Sequence, residues 1–210
     1  MLNRGHSRRL SPRAAARGFT LVELGVVLVV LGLALTAVVP TMIDWVRSLR
    51  VRGAAESMVA GLDRARVEAL RRNREVAFWL VTAEGNNLTS SCATSASSAS
   101  WVVSESNPAG ACEQAPDIEK APFIVAKHAS NVGTSLAVAA AGPEGEAATH
   151  IIFNGLGRVV SNPSYTPIRT IDVKYEGSTD VRALRVQVTA GGLVRLCDPS
   201  VPAADSRACL

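Results

Sequence analysis

Hydrophobic positions are distributed unevenly along this chain. Leu24–Ile43 is a run of twenty residues without a charged side chain. At a rise of about 1.5 Å per residue, a helix over this run would be about 30 Å long, which matches the hydrocarbon thickness of a bilayer. Met1–Gly18 carries five arginines and no acid. Because basic segments stay on the cytoplasmic side, the pattern predicts a membrane-spanning helix with the rest of the chain outside the cytoplasm.

Two residues depart from this simple anchor pattern. Glu23 stands at the start of the apolar run, where an unpaired carboxylate is costly, so an acid retained there indicates a function. Pro40 lies late in the run and removes a helix hydrogen bond, which predicts a kink between Ala37 and Pro40. Because the residues around Ala34 are small, a cleaved secretory signal is one alternative that stays open. A plain signal anchor, in which the acid occurs by chance, is another.

The pattern becomes one-sided after Ile43. Apolar residues recur at steps of three and four, as in an amphipathic helix that buries one face. This stripe consists of Val51, Ala55, Met58, Leu62, Ala65 and Ala69. We expect one long N-terminal helix that ends near Arg72 and Asn73, with its second half packed on a sheet. Glu68 and Arg72 are spaced for an i,i+4 ion pair worth a few tenths of a kcal/mol.

From Glu75 onward the sequence changes to short runs rich in branched and aromatic residues, which predict strands. The predicted strands are Val76–Thr82, Trp101–Ser104, Phe123–Lys127, Ser135–Ala139, His150–Phe153, Arg158–Ser161, Ile168–Tyr175, Ala183–Thr189 and Leu193–Cys197. Asn154–Gly157 is the clearest hairpin turn. The turn-rich spacing favours antiparallel sheets, so the predicted fold class is α+β, a long helix packed on antiparallel β-sheets.

The net charge of +4 does not mark a nucleic-acid-binding surface once its distribution is considered. Residues 44–74 hold eight arginines and four acids, whereas residues 75–210 hold nine basic and thirteen acidic residues. The outer domain is therefore mildly acidic and the helical segment is basic. A broad DNA-binding face is not supported, and only a local basic patch remains open.

All four cysteines, Cys92, Cys112, Cys197 and Cys209, lie beyond the apolar run. An even number in an oxidising compartment favours disulfides, and three pairings are open. The local pairing, Cys92 with Cys112 and Cys197 with Cys209, is preferred because each pair brackets a polar loop rich in serine or proline. A zinc site is the competing interpretation, but the chain has no CxxC and its histidines show no ligand spacing.

The segment Gly18–Leu24, with the sequence GFTLVEL, resembles the type IV prepilin signature. The resemblance implies cleavage by a prepilin peptidase between Gly18 and Phe19, followed by N-methylation of Phe19. It also implies that Glu23 offsets the N-terminal charge of a neighbouring pilin, and a paired carboxylate is tolerable in a low-dielectric bundle. The implied segments are a leader (1–18), a transmembrane and assembly helix (19–43), its amphipathic continuation (44–74) and a β-rich periplasmic or extracellular domain (75–210).

Two further segments, Phe153–Val160 (FNGLGRVV) and Gly191–Cys209, are similar to the GspH/FimT group of minor pilins and pseudopilins. This likeness implies a pilin-like fold and a structural subunit, first in the inner membrane and then in a pilus or pseudopilus. The expected function is a minor pilin that helps to initiate or cap a type IV pilus. A GspH-type minor pseudopilin of a type II secretion system is the alternative.

A DNA-binding minor pilin of natural transformation is a third hypothesis. In some FimT-like proteins DNA is bound through a C-terminal Gly-Arg-x-Arg stretch, and this chain has Gly192-Leu193-Val194-Arg195 at that place. Replacement of the first arginine by leucine removes half of the phosphate-contacting charge. The residues that could still form a small DNA-contacting patch are Arg182, Arg185, Arg195 and Arg207.

The sequence shows no catalytic constellation. It contains no GxSxG, no phosphate-binding GxxxxGK[ST] loop and no HExxH. The acidic segment Gly142–Glu146 has the wrong spacing for an EF-hand and is expected to be an exposed turn. The chain is therefore predicted to be non-enzymatic, without a cofactor or a metal.

Overall fold

The computed structural model describes residues 18–130, 135–178 and 180–209, with the side chains of residues 37–41 left outside the description. The chain divides into two compact units, Met1–Met42 and Ile43–Leu210. The predicted leader, residues 1–18, lies outside the described residues except for Gly18. In the part of the chain that the structure describes, no helix contains a stretch both long and apolar enough to cross a bilayer.

Helix α1 spans Leu21–Arg72 and ends where the sequence predicted. Its last turn closes with a Schellman motif, in which the N–H of Arg74 donates to the carbonyl of Ala69 at 3.3 Å. Asn73 occupies the left-handed position with φ of 51°. Asparagine tolerates this conformation better than other non-glycine residues, so it reverses the chain into the first strand.

The described residues form two four-stranded sheets in which every pair of neighbouring strands is antiparallel. The first sheet has the order β3-β2-β1-β5, and the second has the order β4-β6-β7-β8. The strands are β1 Val76–Leu80, β2 Trp101–Ser104, β3 Ile124–His128, β4 Leu136–Ala141, β5 His150–Phe153, β6 Thr170–Tyr175, β7 Leu184–Val188 and β8 Val194–Cys197. The predicted α+β architecture is confirmed.

The main core lies between the second half of α1 and the inner faces of both sheets. All six residues of the predicted apolar stripe are buried in it, from Val51 to Ala69. Gly61 allows the sheet to approach the helix, because a Cβ at this position would lie 2.6 Å from Phe78 Cε2 and 2.9 Å from Trp101 Cε2. The amphipathic half of the helix therefore has its partner within its own chain.

A second, smaller core lies on the other face of the first sheet and is centred on Trp79. Cys92 and Cys112 form a disulfide within it, and Lys127 donates to the carbonyls of Cys112, Glu113 and Gln114 at 2.8–3.0 Å. A disulfide and a fixed ammonium group thus hold a long polar loop that has no regular structure of its own.

The second disulfide joins Cys197 at the end of β8 to Cys209. The local pairing preferred from the sequence is confirmed, and the zinc interpretation is wrong because both disulfides use all four sulfur atoms. The C-terminal segment is held further by a hydrogen bond from the N–H of Asp198 to the carbonyl of Arg207, at 2.8 Å.

The predicted strand Arg158–Ser161 is wrong. The turn before it forms as expected, but the following segment contributes only a bridge between Phe153 and Val159. The carbonyl of Arg158 accepts the N–H of Asn154, and the N–H of Val160 donates to the carbonyl of Ile152, both at 2.9 Å, so pairing with β5 is confined to the residues around this bridge. On its other side, the segment donates from the N–H of Val159 to the carbonyl of Ala190 beside the second sheet.

Candidate assembly surface

Thr20 caps the start of α1. The side-chain oxygen of Thr20 accepts the N–H of Glu23 at 3.2 Å, and its carbonyl accepts the N–H of Leu24 at 3.1 Å. The pattern Thr-x-x-Glu places a carboxylate at the N3 position, where it also interacts favourably with the helix dipole. Sequence reasoning found Glu23 but missed Thr20, although the three-residue spacing was visible.

The described side chains from Gly18 to Thr36 are all exposed. Each of the large apolar residues from Phe19 to Leu35 presents half or more of its surface: Phe19, Leu21, Val22, Leu24, Val26, Val27, Leu28, Val29, Val30, Leu31, Leu33 and Leu35. Within the described residues this segment has no core of its own, which distinguishes it from the second half of α1. A continuous apolar surface of this extent is typical of a segment that contacts a membrane or another protein.

The predicted kink at Pro40 falls among residues 37–41, whose side chains lie outside the description. It stays a prediction. The implied cleavage between Gly18 and Phe19 and the methylation of Phe19 are chemical events, and they stay predictions as well.

The four C-terminal arginines singled out for DNA contact are each engaged within the chain. Arg185 binds Asp172 through two hydrogen bonds, Arg182 approaches Asp198 to 3.4 Å, and Arg207 binds Asp205 at 2.7 Å. Arg195 differs, because it donates to the carbonyl of Ser206 at 3.2 Å. Three of the four positive charges therefore face a carboxylate of the same chain.

The pKa values of two of these carboxyl groups are lowered by their partners. The hydrogen bond from Arg207 lowers the pKa of Asp205 to about 2. Burial alone would raise the pKa of Asp198, but hydrogen bonds from Ser200 and the charge of Arg182 lower it overall. Both carboxylates are therefore ionised at neutral pH, and the C-terminal cluster is close to neutral.

A second group of arginines surrounds the end of α1 and was underestimated from the sequence. Glu68 is buried and accepts from Arg72 at 3.0 Å, from Arg71 at 2.8 Å and from Arg64 at 3.1 Å. Burial would raise the pKa of Glu68, but these three guanidinium groups lower it overall. The sequence showed the helical spacing but not the burial.

The same network continues to Glu105, which follows β2. Arg72 approaches it to 3.1 Å and Arg74 to 3.7 Å. Two carboxylates thus form ion pairs with four arginines, so this network at the end of the helix has an excess of positive charge. Sequence reasoning missed Glu105 because its distance along the chain from Arg72 gives no signal.

Two histidines lie against aromatic rings rather than beside catalytic partners. His150 stacks between Trp79 and Tyr165, with ring centroids 4.2 and 4.9 Å away. His128 stacks on Trp101 at 5.7 Å. Burial lowers the pKa of both imidazoles. Among the described residues, no group of three or more His, Cys, Asp or Glu side chains is placed to hold a metal ion.

Comparison with known proteins identifies the family. The model of the family "Type II transport protein GspH" matches residues 54–192, which is more than half of the 210-residue chain. No curated protein matches the sequence significantly. Because the matched region includes the buried half of α1 and most of the sheets, the chain belongs to the GspH family.

Among solved structures, the chain is similar to the type IV minor pilin FimU of Pseudomonas aeruginosa strain PAO1, in two crystal forms. The first has 19% identity and a TM-score of 0.47, and the match covers 73% of this chain and 92% of FimU. The second has 19% identity and a TM-score of 0.46, with coverage of 72% and 97%.

Proposed function

We propose that this member of the GspH family is a minor pilin of a type IV pilus, a non-enzymatic subunit that helps to initiate or cap pilus assembly. In this proposal residues 19–43 first anchor the subunit in the inner membrane and later pack against the equivalent helices of neighbouring pilins. The unit Ile43–Leu210 then faces outward as a folded β-rich domain.

The observation that carries the proposal is the exposure of the first half of α1. The large apolar residues between Phe19 and Leu35 are exposed, whereas the apolar stripe from Val51 to Ala69 in the same helix is buried. Each fully buried Val or Leu side chain contributes about 1.5–3 kcal/mol, so this surface has a strong drive to be covered. Lipid before assembly and neighbouring helices after assembly would both cover it.

Glu23 supplies the specificity that an apolar surface lacks. Cleavage after Gly18 would give Phe19 a free amine, and the carboxylate of Glu23 would sit one helical turn further along the chain. In the apolar environment of a bundle, an amine of the neighbouring subunit would offset this carboxylate, whereas an unpaired one is strongly unfavourable. The capping bond that the N–H of Glu23 donates to Thr20 Oγ1 would keep the helix start ordered after cleavage.

The experiment is a mass measurement of the N-terminal peptide from protein extracted from membranes with an active prepilin peptidase. The proposal expects a peptide that begins at Phe19 and carries one added methyl group. An intact Met1 in those membranes would contradict it. In parallel, Glu23→Ala should abolish recovery of the subunit in sheared pili, whereas the unfolding of Ile43–Leu210 should not change.

A second candidate is a minor pseudopilin of a type II secretion system, and the description of the matching family model favours it. Both candidates require the same processing and the same exposed helix. Deletion of the gene distinguishes them: loss of surface pili supports the first, and retention of secreted enzymes in the periplasm supports the second. Neighbouring genes for pilus or secretion components would give the same distinction.

DNA binding through Arg182, Arg185, Arg195 and Arg207 stays a prediction, and their carboxylate partners do not favour it. The measurement is the salt dependence of duplex affinity for the full-length protein. Each phosphate contact would add about −0.9 to the slope of log affinity against log salt. A slope near zero, unchanged in Arg195→Ala, would end this hypothesis.

A further inference from the structure

We propose that a second copy of this chain docks through its loop around Ile118 onto an exposed apolar patch at the end of α1. The patch consists of Val67 and Leu70 on the helix, Leu156 on a first turn (Asn154–Gly157) and Leu193 directly after a second turn (Thr189–Gly192), and it is called the turn patch below. The inference deepens the proposed function, since it concerns how the outer domains of assembling subunits meet.

The two turns and the helix end form one continuous surface. Arg66 donates from Nε to the carbonyl of Gly157 at 3.1 Å, and the N–H of Val159 donates to the carbonyl of Ala190 at 3.2 Å. A Cβ on Gly157 would lie 3.2 Å from Leu70 Cδ1. The backbone of the first turn therefore touches both the helix and the second turn.

Large aliphatic side chains point outward from this junction. Leu156 adjoins Gly157 and is 74% exposed, and Leu193 adjoins Gly192 and is 58% exposed. Val67 and Leu70 are one helical turn apart and are also exposed. A single exposed leucine is ordinary, but four such residues on adjoining elements indicate an interaction surface.

The surroundings of the turn patch are basic. Arg71 and Arg74 belong to the group in which four arginines share two carboxylates, and both are exposed. Arg158 follows Gly157 directly and is exposed too. An apolar centre with a basic rim is complementary to an aliphatic side chain that has acids beside it.

The loop before β3 has this chemistry. Ile118 is 62% exposed and lies between Asp117 and Glu119, both of which are exposed. The N–H of Glu119 donates to Asp117 Oδ1 at 2.8 Å, and the N–H of Asp117 donates to the carbonyl of Ile124 at 2.9 Å. The loop is therefore ordered before binding, which lowers the entropic cost of docking.

Topology requires the two surfaces to come from different copies. The loop leads into β3 and the first turn follows β5, and these are the two edge strands of the first sheet. Three strand spacings separate them, or about 14 Å. Both surfaces remain exposed in one copy, so neither covers the other. A contact between two different surfaces is heterologous, so each copy in a docked pair keeps one surface of one kind uncovered.

The experiment is thiol cross-linking between two full-length chains with different tags, expressed together in membranes. One chain carries Ile118→Cys and the other Leu193→Cys. These are the available thiols because the four native cysteines are in disulfides. With a short bis-maleimide, we expect about tenfold more mixed dimer than for a control pair in which the exposed Glu144→Cys replaces Ile118→Cys, because docking raises the effective thiol concentration.

A charge test uses the same assay. Asp117→Lys together with Glu119→Lys, added to the Ile118→Cys chain, should reduce the mixed dimer to the level of the control pair. A mixed dimer that is no more abundant than the control, or a Leu193→Cys chain that links only to a different protein, would overturn the proposal.

The outcome is distinguishable from failure of the proposed function. Subunits that carry methylated Phe19 and enter filaments but do not cross-link would overturn the docking proposal alone. Subunits that cross-link but retain Met1 would overturn the proposed function alone.

Discussion

The first half of α1 is almost wholly apolar and the second half is apolar on one face, and the apolar residues of the two halves have opposite environments. From Val51 to Ala69 the apolar stripe is buried against the sheets, whereas from Leu21 to Leu35 the large apolar side chains are exposed. Gly61 shows the same contrast with Gly32, because a Cβ would collide with aromatic rings at Gly61 but would meet nothing within 4 Å at Gly32.

This difference predicts separate roles for the two halves of one helix. The second half is completed by its own chain, so its residues determine whether the outer domain folds. The first half lacks a partner among the described residues, so its residues are expected to determine where the subunit goes and what it contacts. Substitutions in the two halves should therefore separate folding from assembly.

The largest expected effect comes from matched Leu→Ala changes. Leu62 is fully buried and Leu33 is 68% exposed. Leu62→Ala should lower the free energy of unfolding by about 2–5 kcal/mol through lost contacts and a cavity. Leu33→Ala should change it by less than about 0.5 kcal/mol. Denaturant unfolding of the full-length protein in detergent, followed by tryptophan fluorescence, measures the unfolding free energy of both variants. An equal loss of unfolding free energy in the two variants would contradict the distinction between the two halves.

The next effect concerns Glu68, which holds three arginines at the end of the buried half. Glu68→Gln should cost about 2 kcal/mol at neutral pH, because charged hydrogen bonds are lost. The folded pKa is lower than the ordinary value of 4.5, so ionised Glu68 stabilises the fold above that pH. This stabilisation is lost as the pH falls below 4.5 toward the folded pKa.

The measurement is the unfolding free energy between neutral and acidic pH. The wild-type curve should fall more steeply below 4.5 than the curve of Glu68→Gln. The exposed Glu144→Gln serves as the control and should follow the wild type. Parallel curves for all three proteins would show that the network does not contribute.

Two Gly→Ala substitutions in the helix should change the stability of the domain in opposite directions. Gly61→Ala should destabilise the domain by about 1–3 kcal/mol, since the added methyl group collides with Phe78 and Trp101. A Cβ added at Gly53 would meet nothing within 4 Å, so Gly53→Ala should stabilise the domain by about 0.5–1 kcal/mol through helix propensity. Thermal unfolding gives both signs, and a stabilising Gly61→Ala would contradict the close helix–sheet contact.

The smallest effect is the pH dependence due to His150. Burial lowers its folded pKa below the ordinary 6.5, so the unfolded chain binds more protons between these two values. The unfolding free energy should therefore fall as the pH drops from 6.5 toward the folded pKa and then level off. His150→Gln should remove most of this dependence and leave the part due to His128. An unchanged slope would contradict the prediction.

Much of the fold could be predicted because its signals are local. The stripe from Val51 to Ala69 repeats at helical spacing, and alternation or turn residues mark most strands. The segment after Gly157 was misjudged because its pairing with β5 is confined to one bridge, and no local pattern reveals where such a pairing ends. The disulfide pairing was predictable since each loop is closed by its own pair of cysteines.

The candidate site was less accessible from the sequence. Glu23 stood out because a charge at an apolar run is unusual. Asp172, Asp198 and Asp205 compensate the charges of three C-terminal arginines, and chain topology brings these acids to their partners. The turn patch was hidden for the same reason, as Leu70, Leu156 and Leu193 are far apart in sequence.

The most direct test of the account is photo-cross-linking from Leu31 in the native envelope, with a benzophenone amino acid at that position. The account predicts a covalent adduct with the N-terminal helix of another pilin-type subunit, and loss of this adduct in Glu23→Ala. The same probe at the exposed Glu144 is the control. A subunit labelled at Leu31 that forms no adduct with any protein while pili or pseudopili assemble would contradict the claim that this half of the helix is completed by a neighbour.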